Sequence, residues 1–194
     1  HLSVMNLFIE RCLYIHIRRV FMKDIRMTVV LTLLLLLVLV GCAKPKVEQT
    51  VKLGGAVKTI GDLVVLSGNS NLPKGAVVQI VMKEIEGGKQ VLEEKVNVGE
   101  DGSYSWSAKR PERAKEYELD VMFLPELQPK HVKEKYGEKG ELIKKDSSGR
   151  VEYQTDGQTY VGIKMYDRIL KIGDGMGGQQ SMLAETLPPP APSY

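Results

Sequence analysis

The chain has 194 residues and a formal charge of +3. That surplus sits entirely in residues 1–41, where Arg11, Arg18, Arg19, Lys23 and Arg26 face Glu10 and Asp24. Residues 42–194 balance at 22 basic and 22 acidic side chains, so the net charge gives no ground for a nucleic-acid partner.

Residues 1–21 read as an upstream extension. The sequence opens with His1, and Met22 or Met27 makes a better start. Residues 22–41 read as a signal peptide. A basic segment, Met22-Lys23-Asp24-Ile25-Arg26, precedes an apolar run from Val29 to Val40 broken only by Thr32, and Gly41 closes it. Basic flank, apolar core and a small residue before the cut are the parts of a secretory signal. The run is short for a spanning helix, which needs about 20 residues. Counting Ile25 and Met27 lengthens it, which leaves an uncleaved anchor as the alternative.

The run ends in Leu39-Val40-Gly41-Cys42, which resembles the lipobox of bacterial lipoproteins: aliphatic, small or aliphatic, Gly or Ala, then Cys. The resemblance implies cleavage between Gly41 and Cys42 and acylation of the Cys42 thiol with diacylglycerol. It also implies a lipid anchor on the extracytoplasmic face of the cell membrane or the outer membrane. Ala43 stands where lipoproteins retained at an inner membrane commonly carry aspartate, which favours the outer membrane in a two-membrane cell. The other cysteine is Cys12, so the region beyond Cys42 has neither free thiol nor disulfide and depends on its hydrophobic core.

Residues 42–61 read as a tether, with Lys44-Pro45-Lys46 and Gly54-Gly55, to which Val51, Leu53, Val57 and Ile60 could add an edge strand. Residues 62–172 read as a β domain, because apolar residues recur with period two. Leu63–Leu66 is a short strand. The turn Asn69–Gly75 follows, then a strand with Val78, Ile80 and Met82 on one face. Glu86-Gly87-Gly88 is a hairpin, since glycine accepts the positive φ that tight hairpins require. Val96 and Val98 point inward on the return. Tyr104, Trp106 and Ala108 alternate with serines; Tyr117, Leu119, Val121 and Phe123 alternate mostly with acidic residues. A last hairpin around Asp156-Gly157 carries Val161, Ile163 and Met165 inward. Strands of this number and spacing predict an all-β, antiparallel β-sandwich. Residues 173–194, rich in Gly, Gln and Pro, read as a disordered tail.

Asn71-Leu72-Pro73-Lys74-Gly75 and the later Asp101-Gly102-Ser103-Tyr104 resemble turns of immunoglobulin-like or transthyretin-like sandwich domains in bacterial envelope proteins. The resemblance spans about residues 62–124. It implies a structural spacer, an adhesive module or one of the many such domains of unknown role, and carries no catalytic residues.

The one long interruption, residues 124–150, stands out because loops of this length in compact domains are often functional. Leu127, His131, Val132 and Leu142 are its candidate partner contacts. The alternative is that its apolar residues pack back as a lid. His131 is the only histidine after Cys42, so no metal site is expected. The absence of a Gly-x-Ser-x-Gly elbow speaks against a hydrolase. Gly173-x-Gly175-x-Gly177-Gly178 leads into Gln-Gln and prolines, not a helix, so no nucleotide is expected. Asp146-Ser147-Ser148-Gly149 lacks the ligand alternation of a calcium loop. The lysines of 124–150, interleaved with glutamates, read as a solvated face, with a contact to acidic lipid headgroups as the alternative. The expectation is therefore a lipid-anchored, non-catalytic binding or structural module of the cell envelope. It has no cofactor, a membrane partner through its lipid and an envelope protein as further partner. The alternative is an envelope enzyme or enzyme accessory with its site in residues 124–150.

Overall fold

Alternation along the strands sorts their side chains into an inner and an outer set, and two sheets pack inner set to inner set. The structure is a computed structural model and describes residues 47–172 and 178–190. The expected extension 1–21, the signal 22–41 and Cys42 lie outside the described residues. In chain order the strands are β1 (Leu53–Ile60), β2 (Leu63–Ser70), β3 (Val77–Glu84), β4 (Gln90–Asn97), β5 (Ser103–Lys109), β6 (Tyr117–Phe123), β7 (Arg150–Thr155), β8 (Gln158–Ile169) and β9 (Gly178–Met182). Between β6 and β7 lie a 3-10 turn, Pro125–Leu127, and one short helix, α1 (Lys130–Tyr136).

One sheet has the order β5-β2-β1-β9 and the other β4-β3-β6-β8-β7. Every strand pairing is antiparallel. The fold is thus the antiparallel β-sandwich that the alternation predicts. Val57, Val64, Leu66, Tyr104 and Trp106 enter the core from the first sheet; Ile80, Met82, Leu119, Val121, Phe123 and Ile163 enter from the second. All are buried. At Gly68 the ring of Tyr104 crosses β2 so closely that a Cβ would lie 2.0 Å from it. The Tyr104 hydroxyl then donates to the Gly54 carbonyl at 2.9 Å, which ties β5 to β1 across β2.

Two expectations are corrected. Residues 53–60 are not tether or edge: β1 is an interior strand, paired with β2 on one side and β9 on the other. Its glycines disguise a period-two strand in which Leu53, Val57 and Thr59 point inward. At Gly55 a Cβ would come within 3.0 Å of the Gly68 Cα, so the missing side chain lets β1 and β2 approach. Nor are residues 178–184 part of a disordered tail, while 173–177 and 191–194 lie outside the described residues. Gly178–Met182 pairs with Ile60–Ala56 as β9, and beyond it Ala184 exchanges backbone hydrogen bonds with Tyr166.

What β9 lacks in apolar residues it replaces with polar bonds into the opposite sheet. The Gln179 amide accepts from Leu170 N–H at 3.0 Å and donates to the Arg168 carbonyl at 2.7 Å. The Ser181 hydroxyl donates to buried Asp167 at 2.6 Å. Burial pushes the Asp167 carboxyl up, against the Ser181 bond that lowers it.

The single tryptophan reports on this core. Trp106 is buried, and its indole N–H donates to Glu94 at 2.9 Å. Trp106→Ala should cost about 3–5 kcal/mol, measured by urea denaturation. The native protein should show blue-shifted emission; emission matching free tryptophan would contradict the packing.

Candidate functional site

The segment from 124 to 150 is built into the sandwich. Val132 and Tyr136 stand four residues apart on one face of α1, where such pairs are neighbours, and both are buried. The Tyr136 ring meets Phe123 of β6 edge to face, with centroids 5.4 Å apart. Gln128 reaches back to the start of β3. Its Oε1 accepts from Val77 N–H at 2.8 Å, and its Nε2 donates to the Val77 and Leu124 carbonyls at 2.8 and 2.9 Å. One amide side chain thus acts as a strand partner where β3 begins.

The rest of the segment is stitched to residues 47–51. Gln49 N–H donates to Leu142 O at 2.7 Å, Lys144 N–H to Gln49 O at 2.9 Å, and Val51 N–H to Ser147 Oγ at 3.0 Å. The sequence-predicted contact residues are therefore divided. Val132 and Leu142 are buried, Leu127 is half-buried and His131 is exposed. The expectation that they form one contact surface is corrected for Val132 and Leu142, which fill the core. Helical spacing aimed Val132 inward with Tyr136. His131 Nε2 lies 3.0 Å from the Lys74 carbonyl and so serves to hold the β2–β3 turn against α1.

The densest charge cluster was not singled out by the sequence. On the outer face of the five-stranded sheet, Asp120 of β6 is 0% exposed. Its Oδ2 takes Lys83 Nζ at 2.6 Å and Lys164 Nζ at 2.9 Å. Glu118 lies 3.9 Å from both lysines. Burial alone would raise the Asp120 carboxyl, but the bonds from Glu118, Lys83 and Lys164 outweigh it and hold it below the usual range. Glu118 moves the other way, raised first by burial and then by its anionic neighbour Asp120. Two carboxyls with opposed shifts can mark acid–base chemistry. Here both lysines are consumed by the pair, and the arrangement is an ion-pair network within a sheet.

A concavity of about 300 Å³ lies at the end of the sandwich where β3 ends and β6 begins, lined in part by Glu84, Lys115, Glu116 and Lys171. Its charges are largely engaged: Lys115 contacts Glu112 at 2.8 Å and Glu84 at 3.2 Å, and Glu116 takes Arg168 at 2.8 Å. Nearby, Arg110 is 4% exposed, and its Nη1 donates to Leu170 O at 2.6 Å. Among the described residues its Nε and Nη2 find no partner. His131 belongs to the opposite end, so among the described residues no imidazole stands at the cleft. Among the described residues no three His, Cys, Asp or Glu come together to hold a metal, and no helix is long and apolar enough to cross a membrane.

Comparison of the chain with protein-family models, with curated proteins and with solved structures finds no match. Its class is therefore set by the fold alone: a β-rich domain of two antiparallel sheets, of four and five strands.

The stability contributed by Asp120 is present above its unfolded-state pKa and lost as pH falls through its depressed folded value. Asp120→Asn should cost about 2–3 kcal/mol at neutral pH. Thermal melts should show the gap from wild type closing as acid protonates Asp120 in the parent. Gln128→Ala should cost about 1–3 kcal/mol by leaving Val77 without its partner. Replacing Gln128 to Lys145 with a short Gly-Ser bridge should abolish the cooperative melt, because it removes core; retained melting would return the segment to the status of a free loop.

Proposed function

We propose that this chain is a lipid-anchored extracytoplasmic lipoprotein whose sandwich, of immunoglobulin-like or transthyretin-like kind, serves as a non-catalytic binding or structural module of the bacterial cell envelope. The observation that carries the reading is Leu39-Val40-Gly41-Cys42, placed after a basic flank and an apolar run and only five residues before Val47. A chain spans at most about 3.3–3.6 Å per residue, so an acylated Cys42 keeps Val47 within about 18 Å of the lipid. The anchored part needs no long spacer, because residues 47–51 are already stitched to the 124–150 segment. The non-catalytic reading is supported by charged side chains that pair mostly with one another rather than converge on an open site. An envelope protein is the proposed further partner.

Acylation requires the Cys42 thiol, since a serine hydroxyl is a far poorer nucleophile than a thiolate. Cys42→Ser should leave the precursor uncleaved and unlabelled by a fatty-acid probe in a bacterial host. Normal labelling of that variant would overturn the lipoprotein reading.

A further inference from the structure

The two outer faces of the sandwich differ in kind. On the five-stranded sheet, acidic and basic side chains alternate and pair: Asp120, Glu118 and Glu116 with Lys83, Lys164 and Arg168. The four-stranded sheet presents no carboxylate at any outward strand position. Its register lays out the rows Lys109–Leu63–Ile60–Gly178, Ser107–Val65–Lys58–Gln180, Ser105–Ser67–Ala56–Met182 and Ser103–Asn69–Gly54. Among the described residues four large hydrophobics are exposed, and three stand on this face: Ile60 at 55%, Leu63 at 38% and Met182 at 66%. The fourth, Val47, is at 63% and lies on the anchor side of the chain. Neither Lys58 nor Lys109 enters an ion pair among the described residues. The rim carboxylates are occupied: Asp62 by Arg113, Glu100 by Lys74, and Asp101 by the Ser103 amide and hydroxyl.

We propose that this outer face of the four-stranded sheet lies against the anionic lipid surface that holds the anchor. The inference rests on the lipoprotein reading and adds an orientation to it. Three observations select a lipid surface. A face with lysines and no carboxylate complements anionic headgroups, whereas the opposite face would set Glu118 and Glu116 against them. Ile60, Leu63 and Met182 stand out among serines and glycines, at a height where side chains can enter the headgroup boundary. The reach from Cys42 to Val47, about 18 Å, is shorter than the eight-residue β1 strand, about 26 Å at 3.3 Å per residue, so the domain cannot stand far off the surface. Each lysine near an anionic leaflet adds about fivefold to association, and two add about twenty-fivefold. Confinement by the anchor turns that modest preference into a docked orientation.

The test uses the full-length acylated protein reconstituted in vesicles. One form carries an environment-sensitive dye on Ser105→Cys, exposed on the outer face at strand β5; a second carries it on Lys95→Cys, exposed on β4 of the opposite sheet. Intact mass reports acylation at Cys42 independently. In vesicles with about one-third phosphatidylglycerol, the dye at 105 should shift to the blue and be quenched by brominated acyl chains, while the dye at 95 should not. In pure phosphatidylcholine the shift at 105 should largely vanish. Lys58→Glu combined with Lys109→Glu should abolish it without releasing the protein from the vesicles. Equal emission at 105 and 95, or no shift at 105 on anionic vesicles, would overturn the proposal. So would a shift that ignores lipid charge and grows with protein density, which would mean that the face packs on a second copy. A mass without the acyl group would instead bring down the anchor reading, and the docked face with it.

Discussion

With no cysteine after Cys42, the sandwich has to be held shut by what fills the space between its sheets. A domain of this size can do so with apolar burial alone only if little of that burial is wasted. The inner rows of β1, β2 and β5 against β3, β6 and β8 supply the body of the core. The ends have to be closed by other means. Val132, Tyr136 and Ile143 close one end from outside the sheets. On the β8 side closure comes from hydrogen bonds, with Gln179 bridging to the β8 backbone and Ser181 holding Asp167.

That division explains which parts of the fold were legible in the sequence. Strands β5 and β6 alternate without error, so Tyr104, Trp106, Leu119 and Phe123 declared their direction. β1 was obscured by Gly54-Gly55, which have no side chain to alternate yet permit the close approach to Gly68. β9, reading Gly-Gln-Gln-Ser-Met, carries no apolar period at all, because its inward residues work by hydrogen bonding. Periodicity detects burial of apolar groups and is blind to a strand held by amides and hydroxyls.

The segment 124–150 illustrates the opposite difficulty. Its lysines and glutamates do what mixed charge runs usually do and face water, and they outnumber the apolar residues. Position decides its role more than composition: Val132 and Tyr136 share a helix face, and Gln128 supplies three bonds from one side chain. The charge cluster at Asp120 was equally hidden, since Lys83 and Lys164 lie on strands far apart in sequence and meet only through the order β3-β6-β8. A single chain gives no register between distant strands.

The pairing of β1 with β9 also governs the order in which the molecule can be finished. The bond from Gln179 N–H to Thr59 Oγ1 joins residues 120 apart, and contacts of such separation slow folding because the loop must close before they reward it. A chain that emerges amino end first presents β1 with one edge unpaired until residue 182 has appeared. Unpaired edges recruit other strands, and here the open edge belongs to an interior strand with no charge except Lys58 to discourage it. The last described strand is thus the step that removes the nascent chain from the risk of misassembly, and any event that holds back the carboxyl end prolongs the exposure of the first.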